Sequence, residues 1–496
     1  MKKFITVSAI LLTMTGQSFA GNVESFGIGA RATALGGAFS ATANDPYAAY
    51  YNPAGLTQID SPMLSTGLSV MDPNLKAHKF TVEGSDGNPV FGPTGIADES
   101  DDLFVPHMGF AMPVNKQISI GMAAYVPYGL DVEWSPNTTK NPAAYNWFHS
   151  YYMREVVTPT VAYKVNDQFS IGLGVSLGKS KSGAERVVYY PTTATQAMTK
   201  GFIDQGMSSA AAAAKANAIM TMVGGTLPAT KPPALAAIPD STYQSLLLVQ
   251  TTNSYNDSLM KAEMEDDFNY SFNIGFMYKP VNSVSLGLTY RSKADAEFDG
   301  PLKINNVKVA NAELDYDHPD QIQAGVRYQP NDKVSMEADV VWTYWRHNEY
   351  QREYFKPYLI VPTVTEKTYD RDWNNTNQLR LGIEWKALDY MTVRAGYFYD
   401  PSPIPDDTFD IMWPDADRKT YSIGLGFNCG KNITIDTALQ YAIAEAGRII
   451  GGESGHNLND TYNPLMKYGL DNGARDVTLE ADGNLWGYSA TMNYKF

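Results

Sequence analysis

The feature that most limits what this chain can become is a hairpin written six times. GFAMPVNKQISIGMAAY (109–125), TVAYKVNDQFSIGLGVS (160–176), GFMYKPVNSVSLGLTY (275–290), GVRYQPNDKVSMEADV (325–340), GIEWKALDYMTVRAGY (382–397) and GFNCGKNITIDTALQY (426–441) share one layout. Each joins two alternating runs through a tight turn, most of them rich in Asn or Asp, which is the signal of an antiparallel hairpin. From Val334, one face carries Val334, Met336, Ala338, Val340 and Trp342, and the other carries Ser335, Glu337, Asp339, Val341 and Thr343. Leu381, Ile383 and Trp385 likewise oppose Arg380, Gly382, Glu384 and Lys386. A soluble sandwich has the same period, so alternation alone leaves both architectures open.

Aromatic placement separates them. Tyr163, Tyr278, Tyr328, Trp385 and Phe427 each precede their turn by three residues and fall on the apolar face. A ring of aromatics at one height is what a membrane–water interface selects, whereas a sandwich core has no need of it. The final run, GYSATMNYKF, alternates to a terminal Phe496, like the assembly signal of outer-membrane barrels. The reading is therefore all-β: a transmembrane antiparallel β-barrel of about fourteen strands, the first starting near Ser61. Charges at mid-depth on the lipid side cost about 2 to 4 kcal/mol, so Glu337, Asp339, Arg380 and Glu384 must face the lumen.

Residues 1–20, MKKFITVSAILLTMTGQSFA, have a basic start, a short apolar run and small residues near Ala20, the pattern of a cleaved secretory signal. No other stretch offers eighteen consecutive apolar residues, so helical spans are not expected. A net charge of −15 on an exported chain argues against nucleic acid as a partner. Cys429 is the sole cysteine, so no intrachain disulfide can form.

Residues 21–60 lack the alternation and are small and Gly-rich. Asp45-Pro46 and Asn52-Pro53 are placed to start short helices, and Gly36, Gly37 and Gly55 permit close approach. A barrel of this size is too wide for wall side chains to fill, so this segment is expected to plug it, with residues 61–496 forming the barrel.

At this point the sequence resembles a known family, the outer-membrane long-chain fatty-acid and hydrocarbon transporters of the FadL/TodX/OmpP1 type. The resemblance lies in GIGARATALGGAFSATANDPYAAYYNPAGL, in YVPYGLDVEW (125–134), in TPTVAYKVNDQFSIGLGVSL (158–177) and in the terminal aromatic strand. It implies an N-terminal hatch inside a fourteen-stranded barrel, with the family's Asn-Pro-Ala motif at Asn52, Pro53 and Ala54, followed by Gly55. It also implies an inward kink of the third strand at Pro127, Tyr128 and Gly129 that opens a lateral gap toward lipid. Proline removes a ladder donor and glycine weakens pairing, so a wall defect there is physically sensible. The implied function is passive uptake of long-chain fatty acids or other hydrophobic compounds across the outer membrane of a Gram-negative bacterium. Hatch rearrangement and lateral exit would be its steps. The implied partners are the hydrophobic substrate, outer-membrane lipid and, through Phe496, the barrel assembly machinery. A monomer without cofactor, metal or enzymatic activity is expected.

The longest connection, 191–265, holds two helix-like stretches. Ile219, Met220 and Val223, with Leu246, Leu247 and Leu248, form apolar faces that serve either as a substrate groove or as the packing side of a helical cap. Arg291, Arg327 and Arg380 are candidate lumen contacts for a carboxylate head group, although pairing with Glu337, Asp339 and Glu384 would also use them.

Other motifs carry less. GIGARA matches a loose dinucleotide pattern but lacks a preceding strand. A second Asn-Pro-Ala at Asn141 reads as a turn in an outer loop. The six histidines lack metal-ligand spacing, and solvated or interfacial positions are expected for them. A general polar porin and a surface adhesin or receptor built on the outer loops are the alternative functions.

Overall fold

The computed structural model describes residues 24, 27–83, 87–145, 147–357, 366–409, 411, 414–444, 448–451 and 477–496. The signal-like residues 1–20 lie outside the described residues. Strands β1 (Met63–Glu83), β2 (Leu103–Pro113), β3 (Ile118–Glu133), β4 (His149–Lys164) and β5 (Phe169–Tyr189) follow the N-terminal segment. They continue as β6 (Asp257–Val281), β7 (Val284–Arg291), β8 (Gln321–Tyr328), β9 (Val334–Thr343) and β10 (Thr376–Leu388). The last four are β11 (Met391–Asp400), β12 (Arg418–Cys429), β13 (Ile433–Ala444) and β14 (Val477–Lys495). Each pairs antiparallel with the next, and β14 returns to β1 from Met63↔Lys495 to Val82↔Val477, closing a 14-stranded barrel. Closure satisfies the backbone polar groups that lipid cannot.

The parity is as expected. Met336, Val340, Trp342, Leu381, Ile383 and Trp385 are exposed on the outer face, while Glu337, Asp339, Arg380 and Glu384 are buried. Tyr163, Tyr278, Tyr328 and Trp385 all project outward near the hairpin turns.

Several strands far exceed the roughly ten residues needed to cross a bilayer, and β6 has 25. Their upper parts carry six further short strands that extend the wall beyond the lipid, among them Ala294–Ile304 and Val307–His318. Those two are joined at Asn305 and Asn306, both with φ near +50 to +65° as a tight hairpin turn requires.

The longest connection is shorter than expected, 190–256, because β6 begins well before its sequence-predicted start. It holds three helices rather than two. Tyr190–Ile203 precedes Ser209–Met222 and Asp240–Val249. The first escaped notice because its threonines and glycine are weak helix formers, although Pro191 sits at the favoured first turn.

Inside the barrel lies the N-terminal segment, built from short helices Ala30–Ala34 and Ala48–Tyr51 and a 3₁₀ turn, Pro53–Gln58. Nearly every residue from 28 to 56 is buried. Asn52 caps as expected, its Oδ1 accepting the Ala54 N–H at 3.1 Å. Asp45 does not cap the helix at Pro46. It accepts from Tyr47 N at 2.9 Å, closing a local turn, and the helix starts at Ala48.

Candidate functional site

The internal segment is held by wall side chains that point inward by parity. Its stretch 39–42 is irregular, so its N–H groups have no helix to join, and a buried orphan N–H costs about 1–3 kcal/mol. Two carboxylates of β9 supply the acceptors. Asp339 takes the N–H groups of Phe39 (3.3 Å) and Ser40 (3.1 Å), and Glu337 takes those of Ala41 (2.7 Å) and Thr42 (3.3 Å) with the Thr42 hydroxyl. Arg31 forks onto Glu384 of the neighbouring strand β10 at 3.0 and 3.1 Å. Glu384 also accepts from Arg394, which reaches Asp436 at 2.8 Å. These carboxylates therefore serve the segment, and not Arg291, Arg327 and Arg380 as sequence reasoning allowed.

Asn52 belongs to the same clasp. Its Nδ2 donates to Ser40 O at 2.8 Å and to Phe276 O of β6 at 3.0 Å. The wall makes room with glycine. A Cβ on Gly275 would lie 2.1 Å from Asn52 Oδ1, and one on Gly172 would lie 2.3 Å from the Pro53 carbonyl carbon. Gly287, Gly325, Gly382 and Gly396 seat Ser40 and Leu35–Gly36 in the same way. The signal for these seats was visible in the repeated hairpins, each of which carries a strand glycine, but only the packed segment gives it meaning.

Among the described residues the wall is interrupted beside this segment. β2 and β3 pair from Pro113↔Ser119 up to Met108↔Ala124 and then part. Above that point β2 pairs, among the wall strands, with β1 from His107 to Leu103, and β3 with β4. β3 also slips against β4 between Tyr125 and Tyr128, the stretch that contains Pro127. Alternation stops there, and residues 125–132 are all buried, so the strand has turned into the lumen. The interruption closes above, where Asp98 bridges Trp134 and Glu99 N donates to Glu133 O at 2.8 Å. Pro127, Tyr128 and Gly129 thus sit on the inturned strand at a window between β2 and β3. The backbone of Glu24 pairs with Tyr128 there.

Above the segment, aromatic faces gather that sequence reasoning missed. His318 stacks on Tyr128 at 4.7 Å and its Nδ1 lies 3.1 Å from the Tyr152 hydroxyl. Phe298, Tyr316 and Trp373 pack around them. His318 and His107 are buried, contrary to the solvated positions expected, because their strands bring them into the lumen. His78, His149 and His347 face carboxylates nearer the outer rim, and His456 lies outside the described residues. Asn141 turns an outer loop, donating to Ser135 O at 2.7 Å.

A closed barrel with an internal segment and a local break between β2 and β3 is an arrangement with counterparts. The sequence matches the model of the outer membrane protein transport protein family (OMPP1/FadL/TodX) over residues 9–496. The chain belongs to this family. It is similar to the long-chain fatty acid transport protein of Escherichia coli O6:H1, 24% identical over 489 residues that cover 93% of this chain and 92% of that one. Its fold is like that of a Pseudomonas aeruginosa FadL homologue, with TM-score 0.69, 20% identity and 97% and 99% of the two chains covered. It is also like the Pseudomonas putida toluene transporter TodX, with TM-score 0.60, 15% identity and 97% and 100% covered. As a member of this family, the chain is an outer-membrane protein of a Gram-negative bacterium.

In this FadL/TodX-type barrel the three candidate arginines have different settings. Arg291 donates to Gln321 and Gln323 and lies over the Tyr50 ring at 4.6 Å. Arg380 reaches Glu24 at 3.1 Å. Arg327 is half-buried at the turn end of β8, opposite Glu337, with its Nε buried and without an acceptor. Of the apolar cap residues, Ile219, Met220 and Leu246 are buried in the cap's core, Val223 and Leu247 pack against it, and Leu248 is exposed. That packing is the one a helical cap needs.

Proposed function

We propose that this barrel carries long-chain fatty acids or other hydrophobic small molecules passively across the outer membrane and delivers them sideways through the wall. The observation that carries this reading is the parting of β2 and β3 above Met108↔Ala124, beside the internal segment. Elsewhere a molecule leaving through the wall would have to break a hydrogen-bonded ladder. Here the β2–β3 ladder is already absent, so lateral exit breaks no pairing between wall strands and meets only the Glu24–Tyr128 bridge. The segment clasped by Glu337, Asp339 and Glu384 acts as the hatch between lumen and window, and its movement connects them. Transfer needs no coupled energy source, because each CH₂ moved from water to lipid gains about 0.8 kcal/mol. The cap helices roof the entrance, and Phe496, packed edge-on against Phe110, is the end the assembly machinery would engage. The chain acts as a monomer in this reading, and no catalytic step is part of it.

Uptake of radiolabelled oleate by cells tests it. Deleting Pro127, which removes the residue by which β3 outruns β4, should straighten β3 so that its upper part returns to the wall beside β2, and so abolish uptake while the barrel still assembles. Undiminished uptake by that well-folded variant would refute lateral exit. Large steady ion conductance of the wild-type protein in planar bilayers would instead point to an open polar porin.

A further inference from the structure

The carboxylate of Glu24 lies among donors drawn from three separate elements. Arg380 Nη2 reaches its Oε1 at 3.1 Å, and the Tyr50 hydroxyl reaches the same oxygen at 3.2 Å. Gln378 Nε2 and Gln321 Nε2 reach Oε2 at 3.0 and 3.1 Å. Arginines hold both amides from behind. Arg380 Nη2 donates to Gln378 Oε1 at 2.7 Å, and Arg291 Nε donates to Gln321 Oε1 at 3.0 Å. An amide whose oxygen is engaged in this way presents only its NH₂ group to the other side. The arginines therefore turn two neutral glutamines into donors, and every side chain in the set is buried. Two acids lie nearby and are engaged elsewhere: Asp400 accepts from Gln378 at 2.9 Å and is paired with Arg418, and Asp339, across from Arg380 on β9, accepts from Gln323 at 2.7 Å and from the Phe39 and Ser40 N–H groups.

This is more donor capacity than Glu24 uses. Arg380 Nε is buried and has no acceptor, so the guanidinium fork, which suits a two-oxygen carboxylate contact, is half engaged. A carboxylate on a peptide tether is limited in its approach, and one on a free acid is not.

The geometry points to a carboxylate-binding site formed by Arg380, Gln378, Gln321 and Tyr50, which Glu24 fills as an internal ligand and for which the head group of an incoming long-chain acid competes. This rests on the reading of the chain as a carrier of hydrophobic molecules. Because the Glu24 backbone pairs with Tyr128 at the break in β3, displacing its side chain loosens the residue that bridges the window. An acid and an uncharged hydrocarbon are then handled differently, since only the acid removes the bridge by direct competition.

Calorimetric binding of oleate and of methyl oleate to the purified full-length protein in detergent separates the possibilities. Glu24→Ala should tighten oleate about tenfold, the effect of freeing one charge-assisted contact, and leave methyl oleate unchanged. Gln378→Leu in the Glu24→Ala background should reverse most of that gain without removing a charge. Unchanged oleate affinity in Glu24→Ala, or a gain that Gln378→Leu does not reverse, overturns the carboxylate site while the uptake reading survives. Failure of both ligands to bind any folded version overturns the uptake reading and this site with it.

Discussion

Asn52, inside the barrel, donates to the backbone carbonyl of Phe276 in the wall at 3.0 Å, and it also ties Ser40 and caps the turn at Ala54. One side chain thus joins the internal segment to itself and to β6. Asn52→Ala should cost the segment about 2 to 4 kcal/mol, since it removes a cap, takes the donor from the buried Ser40 carbonyl and cuts the tie to Phe276. The barrel ladder is untouched, so heat-modifiable mobility on gels should not change, while single-channel recordings should show frequent openings.

Filling a glycine seat should act in the same direction by a different route. Gly172→Ala places a methyl group 2.3 Å from the Pro53 carbonyl carbon and should cost about 1 to 3 kcal/mol through overpacking. Gly95→Ala, whose new Cβ would meet nothing nearer than 3.7 Å, is the matched control. Protease access to residues 27–59 in detergent should rise for the first substitution and stay at the wild-type level for the second.

Glu384 is shared by Arg31 of the internal segment and Arg394 of β11. Glu384→Ala leaves both guanidinium groups facing each other across a buried site, with Asp436 as the remaining partner of Arg394. Breaking such a pair costs about 3 to 5 kcal/mol. The expected result is the largest loss of segment retention among these variants, read as conductance, with assembled barrel still recovered from the membrane. Wild-type conductance would mean that the other clasps suffice alone.

The segment should respond to pH from two sides. Burial, only partly offset by Arg31 and Arg394 and reinforced by Asp436, pushes the Asp45 carboxyl up to about 6. Its contribution is full below the ordinary carboxylate range and is lost as pH rises through about 6. Burial alone would also raise Glu24, but Arg380, Gln378 and Arg291 hold it below its ordinary value. Its contribution is present above about 4.3 and is lost as pH falls through its lowered native value. Conductance should therefore be lowest at about pH 4, rising toward about pH 6 as the Asp45 contribution is lost and again at lower pH as the Glu24 contribution is lost. Asp45→Asn should flatten the upper limb and Glu24→Gln the lower.

Much of the wall was legible along the chain because parity is a local property. Once alternate residues must meet lipid, Glu337 and Asp339 have one direction to take. What they grip was not legible, since Ala41 and Thr42 lie nearly three hundred positions away in sequence. The same holds for the window. Pro127 marks a weak place in a strand, but the gap exists because β2 stops pairing with β3 at Met108, which no feature of the VPYG stretch announces. His318, for which a solvated or interfacial position is expected, is instead carried onto Tyr128 by the extension of the wall beyond the lipid.

The amino-acid order by itself settled the hairpins, the side of each strand that faces lipid, and the presence of a non-strand segment at the start, because each follows from neighbours within a few residues. Closure of the barrel decided the rest: which glycines become seats, which acids become clasps, where the ladder lapses and which donors converge on Glu24. Those depend on contacts between residues far apart in the chain, and their distances are defined only after the wall has curved around the segment it encloses.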